Sequence, residues 1–402
     1  MGASTHDASA AATGYLYQFQ WALLQAVRAY PDQPDRRLSL EKLDDVGWED
    51  ETHPTDLTQV KHHGGTTALT DHQDDVWRTI ASWLDHGPPE APGAPRLTLV
   101  TTAVASPGSA MALLRASDAG EGYTPAVEQA LGRLERVAGE SRSQVTAAAR
   151  ERFLGLRREQ RELLMARVRV LDGALPVQNM REELIRALGH AVPTAVDSFL
   201  DSLLGWWGGV VLDLLQKRTP WVRVLDVHER VSGLLQDYGP DSLPTTVHEA
   251  DVRELASAGG GQLLAQQLSW VGASPRYVEL ALIDFYRAYE QRTRWVEDEL
   301  VGRWELDLFE ERLREEWERA FEATVSRLPA GSTEQERSAA GFALADQLLQ
   351  SASVLLRSRY HDGFLARGTR HALANHRSDD SRIGWHPDFR SRVEQVLLGS
   401  PA

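Results

Sequence analysis

Leu38-Ser39-Leu40-Glu41-Lys42-Leu43-Asp44-Asp45-Val46, followed by Asp56-Leu57-Thr58-Gln59-Val60-Lys61, is the part of this chain that decides its reading. Each stretch reads as a short strand that carries charge where a strand normally buries apolar side chains. Alternation puts Gln59 and Lys61 on one face, about 7 Å apart, with Thr58 and Val60 on the other. Glu41, Leu43 and Asp45 share a face of the first stretch if it stays extended that far. Acidic groups, a glutamine amide and a lysine converging from adjacent strands are a donor set for a divalent cation beside a scissile phosphate. The cation polarises the phosphate and lowers the pKa of water, and the lysine stabilises developing negative charge. In that arrangement Asp45 and Gln59 are metal ligands, the Val60 carbonyl adds an oxygen, and Lys61 faces the attacked phosphate. Glu41 binds a second ion or supports the first. The competing reading is an edge strand whose Lys61 protects it from aggregation.

Outward from these strands, Gly14 to about Tyr30 reads as a helix. Tyr15, Phe19, Ala22, Leu23, Ala26 and Val27 form its apolar stripe, and Pro31 and Pro34 end it. Thr70-Asp71-His72-Gln73 resembles a capping box for a helix running to about Asp85, with Val76, Trp77, Ile80 and Leu84 inward. Arg96 to Thr102 is the clearest strand and suits a central position. Pro107-Gly108 turns the chain into a short helix near Ala110. These elements describe a small α/β layer within residues 14–120. Residues 1–13 are expected to be disordered and have no signal-peptide pattern.

The remainder is mainly α-helical. It is expected to divide near Pro240–Pro244 into domains 121–240 and 241–402, with helices that include 334–357. Val168–Leu171 reads either as a short strand or as a helix extension. No apolar stretch is expected to span a membrane, and a cytoplasmic protein is the simplest reading.

Composition narrows the function classes. The chain has 402 residues, 42% apolar and 25% charged, which suits a soluble protein of two or three domains. A formal charge of −15 argues against a general nucleic-acid coat, while leaving room for one local basic channel. The chain has no cysteine, which excludes disulfides, zinc-thiolate sites and a cysteine nucleophile. Gly259-Gly260-Gly261 lacks the Lys-Ser/Thr of an ATP phosphate loop.

Gly14-Tyr15-Leu16-Tyr17-Gln18, then Leu40 to Val46, Gln59-Val60-Lys61-His62-His63, Leu69-Thr70-Asp71 and Asp75 to Ile80 together resemble one known module. It is the N-terminal nuclease domain of bacterial anti-phage effectors, in the restriction-endonuclease-like (PD-(D/E)xK) superfamily. That branch includes double-stranded-DNA endonucleases controlled by cyclic oligonucleotides and nucleases paired with hexameric ATPases. The resemblance covers about residues 14–105. It implies an α/β restriction-endonuclease-like N-terminal domain and a Mg²⁺- or Mn²⁺-dependent DNA endonuclease. Asp45 is then the metal aspartate and Lys61 the catalytic lysine. Gln59 is the second ligand, where many members carry Asp or Glu, as in the Mrr-like branch. The matching helix carries Gln18 and Gln20 where many members offer an acid.

Leu204-Gly205-Trp206-Trp207, Asp284 to Trp295 and Gly384 to Phe389 resemble stretches of components of bacterial three-component ABC-type ATPase systems. This implies a partner ATPase or companion protein, and a helical region that senses, oligomerises or docks. The alternative is a catalytically inactive adaptor in the same kind of complex.

Three other clusters compete for attention. Tyr286, Tyr289, Trp295, Arg287, Arg292 and Arg294 suit a packed helix better than a base-stacking one. Arg357, Arg359, Arg367, Arg370, Arg377 and Arg382 make the C-terminus locally basic, as an anion-binding face or a tethered tail. His361, His371, His376 and His386 have no compact metal spacing.

Overall fold

The computed structural model describes residues 8–30, 32–63, 68–115, 124–188, 195–258, 261–378 and 382–399. Met1–Asp7, Pro31, Gly259 and Gly260, which figure in the readings above, lie outside them. The chain groups into two compact units, Met1–Val192 with Leu200–Gly233 and Pro193–Phe199 with Leu234–Ala402.

In the first unit, α1 (Ala8–Ala29) precedes β1 (Arg37–Leu40), β2 (Val46–Glu49) and β3 (Pro54–Lys61). Then come β4 (Ala68–Leu69), α2 (Asp74–Asp85), β5 (Arg96–Thr101), β6 (Val104–Ala105) and α3 (Ala110–Leu113). Next are α4 (Pro125–Glu140), α5 (Ala147–Gly155), α6 (Arg158–Ala166) and β7 (Val168–Leu171). The series closes with α7 (Met180–Leu188), most of α8 (Val196–Leu215), β8 (Val222–Arg223) and most of α9 (Val224–Asp237). The main sheet runs β7-β5-β3-β2-β1-β8, and β4 and β6 make a small second sheet. β3 is parallel to β5 and antiparallel to β2, and β5 is parallel to β7.

The first charged stretch is not one strand. Leu40 pairs directly with Val46, so Glu41–Asp45 forms the turn between β1 and β2. Glu41 sits at φ 51°, in the left-handed region, and its amide donates to the Asp45 carbonyl at 3.4 Å. Lys42 reaches Glu49 at 2.8 Å. A run of four charges in five residues is cheaper to expose in a turn than to bury in an inner strand. Glu41, Leu43 and Asp45 therefore do not share a strand face. β3 does form, with Asp56, Leu57, Thr58, Gln59 and Val60 all buried.

The sheet also reaches beyond residue 120. β7 covers the far edge of β5, pairing Leu97 with Val168 and Leu99 with Val170, and β8 covers β1. One face packs Leu57, Leu97, Leu99, Val168 and Val170 against Val76, Trp77 and Ile80 of α2 and against Leu131 and Phe153. Helix α1 starts at Ala8, ahead of Gly14. The helix expected from Thr70 begins at Asp74 with Gln73 as its N-cap. Helix α8 is long and apolar enough, by length and composition, to cross a membrane, a test that core helices also pass. Its Asp197, Asp201 and Asp213 break the apolar surface, and buried Trp207 donates its indole N–H to the Phe19 carbonyl at 2.8 Å.

In the second unit are α10 (Glu249–Ser257), α11 (Gln262–Trp270), α12 (Pro275–Glu297), α13 (Arg303–Arg327), α14 (Glu334–Leu349), α15 (Gly363–Ala374) and α16 (Phe389–Leu397). Helix α14 ends at Leu349, short of the expected Arg357. The following Ser351 and Ser353 turn their hydroxyls to Glu316, and serine favours such local bonds over helix. Helices α12 and α15 pack closely at Gly368, where a Cβ would overlap the Asp284 carbonyl oxygen and lie 2.6 Å from the Ala288 methyl.

Candidate active site

Three elements of the first unit aim side chains at one place. The β1–β2 turn brings Glu41, Asp44 and Asp45, β3 brings Gln59, Val60 and Lys61, and α1 brings Gln18. Asp45 Oδ2 accepts the Val60 amide at 2.8 Å, and Lys61 Nζ lies 3.6 Å from the same oxygen. Asp45 Oδ1 accepts from Gln59 Nε2 at 3.3 Å. The Gln59 amide also donates to Asp44 Oδ1, which receives Ser82 Oγ of α2 at 3.4 Å. Buried Gln18 uses its amide twice, donating to Glu41 Oε1 at 3.1 Å and to the Asp45 carbonyl at 2.6 Å. The predicted residues Glu41, Asp45, Gln59, Val60 and Lys61 thus lie in one connected network. Glu41 is exposed and reaches the others through Gln18.

Asp44 was missed by strand alternation, which places it opposite Asp45. In a turn, neighbouring residues need not alternate, and both carboxylates reach Gln59. Asp44 is buried, and its Oδ2 has no hydrogen-bond partner among the described residues. Burial pushes its carboxyl above the usual range. The Gln59 hydrogen bond opposes this, and the charge of Asp45 adds to it.

A buried carboxylate oxygen without a donor is costly. Here it stands beside a second carboxylate and an amide. Rotating the Gln59 amide by 180° exchanges its N–H₂ for Oε1. Oxygens of Asp44, Asp45 and Gln59 then face one another, a donor set that suits a hard divalent cation. Among the described residues, the clustered group of three His, Asp or Glu side chains with ligand atoms within 4.8 Å is elsewhere, at Glu334, His386 and Asp388. The nuclease-like site therefore depends on its amide and backbone oxygens as well as its carboxylates.

Two family models match this chain. Residues 9–81 match the Cap4 dsDNA endonuclease domain, and residues 264–393 match C-terminal domain 7 of the ABC-three component (ABC-3C) systems. The first segment contains Gln18, Glu41, Asp44, Asp45, Gln59 and Lys61. No curated protein matches the chain. A nuclease-domain segment thus precedes an ABC-3C segment, as the two resemblances implied.

Beyond Lys61 the nuclease segment carries two histidines. The His62 ring packs 5.1 Å from that of Tyr17, and burial first, then the nearby His63, pushes His62 below the ordinary histidine value. His63 Nε2 lies 3.1 Å from Asp75, and the His63 amide donates to Thr102 Oγ1 at 2.8 Å.

In the ABC-3C segment the aromatic–basic helix is structural. Buried Trp295 donates its indole N–H to Pro244 O at 2.9 Å, Arg292 pairs with Glu310, and Arg287 stacks 3.9 Å from the Phe364 ring centre. Part of the basic C-terminus is internal, while Arg359 and Arg377 are exposed. Arg370 is buried on Glu316, Arg367 pairs with Asp284, and Arg357 bonds the Leu300 carbonyl and Glu305. These arginines do not form an open anion-binding face. The Glu334–His386–Asp388 group is likewise engaged. Arg337 holds Asp388 in two bonds at 2.8 and 2.7 Å, and Arg392 holds Glu334.

Proposed function

We propose that this chain is a metal-dependent DNA endonuclease effector of a bacterial anti-phage defence system, cytoplasmic and switched on by a signal or partner. The observation that carries the reading is the convergence of Lys61 and the Val60 amide on Asp45 Oδ2, with Gln59 bridging Asp44 and Asp45. The match of residues 9–81 to a dsDNA endonuclease domain supports DNA as the substrate. The match of residues 264–393 supports a companion ATPase of an ABC-3C system as partner. A homo-oligomer is a further assembly open to it.

Asp44, Asp45, Gln59 Oε1 and the Val60 carbonyl would hold Mg²⁺ or Mn²⁺. When bound, the ion polarises the scissile phosphate and acidifies water. Lys61 places its ammonium where negative charge builds on the phosphate, while Asp45 keeps it oriented. Gln18 fixes the turn through the Asp45 carbonyl and leaves Glu41 at the rim. Burial of Asp44 and Gln59 limits solvent access to the reacting centre.

A second reading, a catalytically inactive adaptor, is favoured by one feature: Gln18 and Gln59 are amides, so the site holds fewer carboxylates than many of its superfamily. Plasmid cleavage with Mg²⁺ or Mn²⁺, with and without the proteins encoded beside this one, separates the two. Cutting that disappears in Lys61→Ala and Asp45→Ala supports the nuclease. Equal cutting by wild type and both variants sinks the site, and no cutting in any assembly supports the adaptor.

A further inference from the structure

The other face of β3 faces a second, chemically different place. Asp56 and Thr58 alternate away from Gln59 and Lys61, and Asp56 lies about 17 Å along the strand from Lys61. With Thr98 of β5 they floor a cavity of about 360 Å³ beneath α1, walled by Arg28, Arg36, Arg96 and Arg169. A second cavity of about 540 Å³ adjoins it, shares Arg96 and Arg169, and adds Arg167. Five arginines therefore border these two neighbouring hollows in a chain whose formal charge is −15.

The acidic groups facing the hollows are fewer. They are Asp32, Asp56 and Glu90, with Glu183 holding Arg28 from α7. Asp56 is already engaged by Thr58 Oγ1 at 2.9 Å and Thr98 Oγ1 at 3.1 Å. Arg36 is fixed, its Nη1 donating to Gln33 at 2.9 Å while its guanidinium lies 4.2 Å from the Trp48 ring centre. Burial pushes Arg36 below the usual guanidinium range, the charge of Asp56 opposes this and that of Arg96 adds to it; burial, then Arg96, lowers Arg169, and burial alone lowers Arg167. Asp56 offsets part of the repulsion between these like charges, and a bound anion would offset more.

We infer that these hollows bind a phosphate-bearing small molecule of nucleotide size, its phosphates on Arg96 and Arg169, which both cavities share. The volumes fall within the usual range for small-molecule pockets, about 300–1,000 Å³. Planar guanidinium forks are suited to phosphate oxygens. Duplex DNA at the nuclease-like site is a different ligand, because the first hollow lies on the sheet face opposite Gln59 and Lys61. The inference does not depend on the nuclease reading.

Titration calorimetry of the full chain with ATP, pyrophosphate and adenosine tests it, alongside thermal melting. ATP and pyrophosphate should bind and raise the melting temperature, and adenosine should not. Arg96→Gln and Arg169→Gln should each weaken binding about tenfold or more. Lys61→Ala should bind as wild type does, which keeps this result separate from any failure of cleavage. Circular dichroism confirms that the variants fold, and Arg28→Gln, at a half-exposed position, serves if either does not. The inference is overturned by wild type that binds neither phosphate compound, or by variants that bind them undiminished. It is equally overturned if the variants lose affinity only for duplex DNA in fluorescence anisotropy, which assigns the arginines to the nucleic-acid backbone.

Discussion

Asp45 Oδ2 takes the backbone N–H of Val60 at 2.8 Å, so the carboxylate is held by the strand that also carries Lys61. The acid and the lysine are thereby fixed to one rigid element. Replacing Asp45 by Asn keeps the shape and removes the charge. Metal-dependent plasmid cleavage by Asp45→Asn should fall by about 100-fold or more, with the melting temperature little changed. Agarose assays of nicking and linearisation measure the first, and calorimetry the second.

Lys61→Ala should separate activity from stability. Its ion pair with Asp45 is partly exposed, and pairs of that kind contribute about 0–1 kcal/mol to folding. Urea denaturation should therefore shift little while cleavage is lost. Loss of stability well beyond that range would make Lys61 a structural residue.

The buried carboxyls of Asp44 and Asp56 give the first unit an unusual acid response. Burial raises both above the unfolded-state value. Between that value and the raised one, the folded state holds more protons, so this contribution to stability falls as pH rises through the window. At neutral pH the burial of both groups is a cost to folding. Without divalent cation, Asp44→Asn should melt higher than wild type at pH 7. Added Mg²⁺ should raise the wild-type melting temperature and raise that of Asp44→Asn less.

His371 gives the second unit the opposite slope. It is buried between Arg367 and Arg370, and burial followed by those charges pushes it down to about 3. The unfolded chain takes up a proton near pH 6.5, which the folded state refuses. Stability is therefore complete above about 6.5 and is lost as pH falls from there toward 3, by at most about 1.4 kcal/mol per pH unit. His371→Phe should flatten this part of the stability profile between pH 6.5 and 4.5, measured by denaturant titration.

Gly368→Ala should destabilise the second unit by about 1–3 kcal/mol, because the added methyl must push α12 from α15 at the Asp284 carbonyl. A melting temperature equal to wild type would mean that the two helices pack less closely than this.

Much of the architecture was legible from periodicity. The inward positions of α2 and the β-branched centre of β5 each have one economical placement, whereas the stripe read for α1 is only partly right: Tyr15 is exposed, and Tyr17, Trp21 and Leu24 are buried. β3 was legible because its alternation survives, although its face toward Gln59 is polar. The turn at Glu41–Asp45 was not, since charge and alternation fit an exposed strand as well as a turn. Asp44 was lost with it. Val168–Leu171 reads equally as a strand or a helix extension, and β8 gives no signal at all, for another reason. Two to four residues are too few to carry a pattern, and their role appears only when β5 and β1 present open edges. The arginines of the C-terminal region read as a surface because guanidinium burial depends on partners such as Glu316 and Asp284, far away in sequence.

The β2–β3 ladder stops at Val46 opposite Thr58, and Asp45 then meets Val60 with its side chain instead of its backbone. The site occupies the fork where two strands come unzipped. One more rung of pairing would take the Val60 amide from the carboxylate and close the fork. Insertions or deletions in the five-residue turn should therefore be far less tolerated than substitutions, since they move the point at which the zipper opens.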